Sequence, residues 1–287
     1  MDWNKTKTIF IIVFSILNVF LYSVYVNNYN EDQELDIIGE SSVENDLKSA
    51  DITIPKLPAA TDKITYISGK IKNFDQQDII DFSENQNITI RDDTIIEGAM
   101  KKATPLKELS AKALNEFIEK EVYKGSEYKL WSIDKTKHEA IFFQVTDDQP
   151  IFYNQSASVK VYWTDKNEVT NYEQTIFGSL KPIGEKSAYI KPIQAIKAIF
   201  EKGYLKDKTD ITFVELGYST LVPLTETQVL SPTWHIRAKV PNESNKKQEV
   251  DFFVNAIDSQ ILEIEKNIEF ESKKSAGIDY EVKETKK

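Results

Sequence analysis

From Thr8 to Val26 the chain runs for nineteen residues, TIFIIVFSILNVFLYSVYV, without a charged side chain. At about 1.5 Å of rise per residue this predicts a helix roughly 28 Å long, matched to the hydrocarbon thickness of a bilayer. Beyond it the pattern changes to short apolar runs at strand spacing and two stretches at helix spacing. No second segment is long or apolar enough to cross a membrane.

The polar positions inside the apolar run are ordered too. Thr8, Ile11, Ser15, Asn18, Tyr22 and Tyr25 follow one another at spacings of three and four, which places them on one side of a helix. Asn18 sits near mid-membrane, where its amide finds no water, and Ser15 one turn away permits close approach. Ser15, Asn18 and Tyr22 are therefore the expected contacts to a partner helix. The competing reading is that Tyr22 and Tyr25 only anchor the outer interface.

Residues 27–60 are polar, with Ser41-Ser42-Val43-Glu44 as a capping box for a short helix to about Ala50, and Pro55 and Pro58 as breaks. Lys63–Phe74 and Ile88–Ile96 read as strands, the second with a turn at Arg91-Asp92-Asp93. Residues 105–122 follow helix rules, with Thr104 as N-cap, Pro105 in the first helical position and Gly125 as the stop. Strands are expected at Tyr128–Ile133, Glu139–Val145, Ser158–Thr164 and Glu168–Phe177, the last two joined by the turn Thr164-Asp165-Lys166-Asn167.

The same order then recurs. Ser187–Lys202 reads as a helix, followed by strands at Ile211–Gly217, Thr233–Val240, Glu249–Ile257 and Gln260–Phe270. Val159, Val161 and Trp163 share one strand face, as do Phe252, Val254 and Ala256. The reading is an α+β chain in which a transmembrane helix carries two modules, each a helix packed on an antiparallel sheet. Its expected limits are a cytoplasmic segment 1–7, the membrane helix 8–26, a juxtamembrane linker 27–60, modules at 61–180 and 181–270, and a disordered charged tail 271–287. A sheet covered by its helix on one face leaves the other free for another surface.

Charge sets the orientation. Residues 1–26 carry +1, from Lys5 and Lys7 against Asp2, which leaves −11 of the net −10 on the rest. Lysines before the helix and Glu31, Asp32, Glu34 and Asp36 after it place the amino terminus in the cytoplasm and the carboxyl terminus outside. A cleaved signal peptide is the alternative, but Tyr25-Val26-Asn27-Asn28-Tyr29 puts bulky residues where a cleavage site needs small ones. The acidic exterior argues against nucleic acid and anionic lipid as partners. With no cysteine there is no disulfide, thiol catalysis or zinc–thiolate site, and an exported domain without disulfides fits a Gram-positive surface.

The inventory for catalysis is thin. His138, in Lys-His-Glu, reads as solvated, and His235, after Trp234 in an alternating run, as a half-buried strand residue. No local spacing makes the two histidines a metal site. Ser126–Lys129 and Ser132–Lys135 match Ser-x-x-Lys without its companion motifs. Asp147-Asp148 and Arg91-Asp92-Asp93 read as turn chemistry before cation ligands. No cofactor is expected.

The opening Met1-Asp2-Trp3-Asn4-Lys5-Thr6-Lys7-Thr8-Ile9-Phe10-Ile11-Ile12 resembles the start of the YycI (WalI) family. Glu44-Asn45-Asp46-Leu47-Lys48, followed by Pro55-Lys56-Leu57-Pro58, resembles that family's juxtamembrane segment, and Asp251–Leu262 is similar to the last hairpin of PepSY-type and YycH-type domains. The resemblance covers nearly the whole chain, the Lys-rich tail excepted. It implies a non-enzymatic regulator of the WalK (YycG) histidine kinase of the WalKR two-component system, acting with the YycH (WalH) paralogue to tune cell-wall metabolism. It carries no catalytic motif to transfer. Two other classes stay open: a PepSY-like surface inhibitor or chaperone of secreted proteases, and a cell-wall hydrolase with unrecognised carboxylates.

Overall fold

The structure is a computed structural model that describes residues 7–8, 10–23, 43–59, 63–82, 84–220, 226–242, 244 and 246–263. Thirteen strands form two sheets among these residues, and every pairing between named strands is antiparallel. The strands are β1 (Ile64–Ile71), β2 (Gln86–Arg91), β3 (Ile95–Pro105), β4 (Tyr128–Asp134), β5 (Glu139–Thr146), β6 (Gln149–Pro150) and β7 (Ser158–Trp163). They continue with β8 (Glu168–Gln174), β9 (Phe177–Ser187), β10 (Asp210–Thr220), β11 (Thr227–Pro241), β12 (Lys247–Asn255) and β13 (Ile261–Leu262).

The first sheet runs β2-β3-β8-β7-β5-β4, with β6 added to β5. The second runs β13-β12-β11-β1-β9, with β10 on β11. A helix precedes four main strands in each: α1 (Ala111–Glu121) before β4, β5, β7 and β8, with the two-residue β6 between β5 and β7, and α2 (Pro192–Glu201) before β10 to β13. The repeat of pattern is thus a repeat of structure.

The apolar faces fall where the spacing puts them. Leu114, Phe117 and Ile118 of α1 pack on Phe142, Val159, Val161 and Trp163, all buried. Ile193, Ile196 and Ile199 of α2 pack on Trp234, Ile236 and Val254, with Phe252 partly buried beside them. Burying such side chains is worth about 1.5–3 kcal/mol each, so each module has a core of its own.

Both helix starts are corrected. Thr104 and Pro105 lie at the end of β3, paired with Val169 and Glu168 of β8, and the N-cap of α1 is Ser110, whose hydroxyl accepts from Ala113 N–H at 3.3 Å. Residues up to Ser187 belong to β9, and α2 begins with Pro192 in its first position. In each case a strand pairing with distant residues overrides a legitimate local start signal. A second difference concerns β1, expected in the first module: it pairs with β9 and β11 of the second sheet. The chain passes from first sheet to second where β8 ends at Gln174 and β9 begins at Phe177.

The acidic pairs behave as turn chemistry. Asp92 and Asp93 (φ 51° and 59°) join β2 to β3, and Asp147 and Asp148 (φ 49° and 63°) join β5 to β6. Positive φ at both central positions is the tight hairpin geometry that Asp tolerates. Part of the expected linker is core as well: residues 43–49 are helical, and Val43, Leu47 and Ile52 are buried in the cluster beneath the second sheet. Thr53 accepts from Ile211 N–H at 3.0 Å and donates to the Thr209 carbonyl at 3.1 Å. Ile261–Leu262 of the last expected strand form β13, and residues 264–270 of it, with the tail 271–287, lie outside the described residues.

Candidate functional site

Two regions carry unspent chemistry. The first is the amino-terminal helix. Residues 10–23 are helical and all exposed, with Phe14, Phe20 and Tyr22 at 62%, 62% and 69%. Ser15, Asn18 and Tyr22 stand on one side of it, as their spacing requires, while Tyr25 lies outside the described residues. Among the described residues no helix is long and apolar enough to cross a membrane. Residue 9 and residues 24–42 are not among them.

The second region is the junction of the two sheets. On β11 the side chains alternate, so Trp234, Ile236 and Ala238 face the helix-covered core while His235, Arg237 and Lys239 face the other way. That second face meets β4 and β5 of the first sheet. Trp131 lies 4.8 Å from the His235 ring and 5.2 Å under the Arg237 guanidinium, and it donates through Nε1 to the Tyr153 hydroxyl at 2.9 Å. Phe143, Phe152 and Phe253 complete a buried aromatic cluster.

The loop after β6 fastens the junction. Phe152 N–H donates to the Tyr218 carbonyl at 2.8 Å, and the Asn154 amide donates to Thr220 and to Gln228. Tyr153 holds φ at 47°, a left-handed conformation that side chains adopt at some cost.

Electrostatics in the junction centre on Asp251. Its Oδ1 accepts from His235 Nε2 at 2.8 Å and from Arg237 Nε at 2.7 Å. Burial would raise this carboxyl, but the two donors override it and hold it down at about 2. Burial pushes the His235 imidazole below its ordinary value of 6.5, against the pull of Asp251. The ring is therefore neutral near pH 7, with its proton on Nε2 and a bare acceptor at Nδ1. That Nδ1 is buried without a hydrogen-bond partner among the described residues. A buried His–Asp pair could serve general base chemistry, yet no hydroxyl is bonded to the ring among the described residues and the chain has no cysteine.

Beside the cluster the sheets diverge to leave a cleft of about 370 Å³, bordered by Trp131, Phe213, His235, Arg237, Lys239 and Glu249. Phe213 stands 42% exposed at the mouth, and Lys129 of the first sheet is ion-paired across the cleft with Glu215 of the second.

His235 was expected half-buried in a strand; it is fully buried at the centre of the junction. His138, at a positive φ of 53° in the β4–β5 turn, stays on the surface and meets Asp165 at 3.4 Å. Trp131, Arg237 and Asp251 carry no motif. The polar set His235, Arg237 and Lys239 alternating with Trp234, Ile236 and Ala238 is the signal that points to Arg237; Trp131 and Asp251 have none.

These features define a class: an antiparallel α+β protein of two helix-on-sheet modules locked by an aromatic junction. The model of the YycI protein family matches residues 32–257, and the chain belongs to that family. No curated protein matches it. Among solved structures it is similar to an uncharacterized protein from Eubacterium rectale, with 12% identity, a TM-score of 0.44, and coverage of 75% of this chain and 89% of that one. It is also similar to YycH from Bacillus subtilis, with 14% identity, a TM-score of 0.38, and coverage of 69% of this chain and 53% of that one. The C-terminal domain of Bacillus megaterium YpeB matches at 10% identity and a TM-score of 0.41, over 68% of this chain and 99% of that one. Such scores and identities make each a loose likeness.

Proposed function

We propose that this chain is a non-enzymatic regulator of the WalK histidine kinase that acts with a YycH-type partner. In this reading it is held in the cell membrane by residues 8–26, with the amino terminus in the cytoplasm and the modules outside. Membership of the YycI family supports the pathway. The observation that carries the mechanism is residues 10–23, a helix whose apolar side chains are all exposed. Surface of that kind is covered by lipid or by another helix.

The mechanism is a population shift. A kinase with two helix arrangements is biased by the difference in free energy with which this helix binds each one. Ser15, Asn18 and Tyr22 supply contacts that depend on arrangement, because an amide in hydrocarbon is satisfied only by a partner at the right rotation. Val43, Leu47 and Ile52 pack beneath the second sheet and fix the point at which the chain enters the modules.

The test is co-purification with the kinase from detergent. Ser15→Leu with Asn18→Leu should lower the recovered kinase several-fold while the circular dichroism of the modules is unchanged. Undiminished recovery removes the helix from the mechanism.

A further inference from the structure

In the first sheet β4 is an end strand, paired on one side with β5. One row of its backbone N–H and C=O groups therefore has no strand partner among the described residues, which is the template to which an added strand pairs.

A cavity flanks this edge on each face of the sheet. The junction cleft of about 370 Å³ lies on the Trp131 face, and a second cavity of about 310 Å³ lies on the helix-covered face, bordered by Asn115, Ile118 and Tyr128. Lys129 and Leu130 of β4 border both. An extended peptide projects successive side chains to opposite faces, so a strand laid on β4 would drop neighbouring residues into the two cavities in turn.

A residue bordering each cavity also carries a buried acceptor without a donor. These are His235 Nδ1 beside the first and Asn115 Oδ1 beside the second, both buried and neither with a partner among the described residues. The second cavity is acidic as well. Glu119 and Asp148 border it, and Lys129, the one cation among its described lining residues, is committed to Glu215.

We infer that the free edge of β4 binds an extended segment of a partner protein as an added strand, with a lysine of that segment in the second cavity and the side chain next to it in the first. The lysine ammonium donates to Asn115 Oδ1 and sits between Glu119 and Asp148. This reading is independent of the kinase. It concerns a different surface and is measured on this chain alone, so either can fail while the other stands.

The test is calorimetric titration of the full chain in detergent micelles with the probe acetyl-Ser-Lys-Ser-Ala-amide. Saturable binding is expected, weakened about tenfold when the probe lysine is replaced by norleucine. A probe N-methylated at its backbone amides keeps every side chain but cannot pair as a strand, and should bind at least about tenfold more weakly. Glu119→Gln with Asp148→Asn should weaken the lysine probe and leave the norleucine probe unchanged; both positions are exposed, and Asn tolerates the turn conformation at 148. Three results overturn the inference: no saturable binding by ~5 mM, equal binding of the N-methylated probe, or indifference to the charge-removing pair. Self-association of the chain that the probe does not disrupt also overturns it, because a second copy would then be the occupant.

Discussion

Beneath their helices the two sheets are built alike. Phe142, Val159 and Val161 in the first, and Trp234, Ile236 and Val254 in the second, are all buried against a single amphipathic helix. Their opposite faces differ. The first sheet shows Arg91, Glu97, Glu173, Lys160 and Glu139 in ion pairs across neighbouring strands. The second presses His235, Arg237 and Asp251 against the aromatic rings of its neighbour. The helix-covered face makes the core of each module, and the opposite face makes its ion pairs and its contact with the other module.

If that division holds, truncation under either helix should cost about the same. Phe142→Ala and Trp234→Ala each remove a large buried side chain and should each destabilise by about 3–5 kcal/mol. Trp234 also loses the bond from Nε1 to the Ile190 carbonyl at 2.9 Å, which places it at the upper end. Urea denaturation followed by circular dichroism reads both. A cost below about 1 kcal/mol for one and not the other would break the equivalence of the two cores.

That equivalence was legible because burial repeats with the geometry of the element. Val159, Val161 and Trp163, and Phe252, Val254 and Ala256, can be placed on their faces from alternation alone. Local punctuation was weaker. Thr104-Pro105 has the form of a helix start and lies in β3, because its pairing with β8, more than sixty residues away, outweighs a cap. The assignment of β1 to the second sheet follows from partners more than a hundred residues distant, which no local window contains. The junction was half legible: the polar alternation on β11 marks an unusual face, but nothing in the sequence places Trp131 against it.

The opposite faces should answer pH with opposite sign. His235 is held below its ordinary value of 6.5 in the folded protein, so between that lowered value and 6.5 the unfolded chain binds more protons. Stability therefore falls as pH drops below about 6.5. One proton limits the slope to about 1.4 kcal/mol per pH unit. Asp251 adds the same sign at lower pH, since its contribution is present above 3.8 and is lost toward about 2. Protonation would also put a charge among Trp131, Phe152 and Phe253, with Glu215, Asp251 and Arg237 as the nearby charged groups. Melting temperature measured from pH 7 to pH 5 should decline. In His235→Phe, whose ring suits the same aromatic surroundings, the decline over that interval should flatten. An unaltered decline would locate the acid sensitivity elsewhere.

Glu173 gives the smallest effect and the reverse sign. It stands directly opposite Glu97 on β3 and beside Lys160 on β7, with an Arg91 nitrogen at 3.7 Å. Burial raises its carboxyl first, and Glu97 and Glu139 add to the rise against the pull of Arg91 and Lys160. A carboxylate whose folded value is raised binds more protons folded than unfolded, so its contribution is favourable at low pH and is lost as pH climbs through and above 4.5. The group is half buried, water screens it, and Glu173→Gln should therefore stabilise the protein at pH 7 by only a few tenths of a kcal/mol. The gain should vanish near pH 4, where the wild-type side chain is itself protonated. Paired melting curves of wild type and variant at pH 7 and pH 4 read this difference. Destabilisation at pH 7 by more than about 1 kcal/mol would mean that the ion pairs hold the first sheet together. Its outer face would then be structural, and the contrast with the second sheet would collapse.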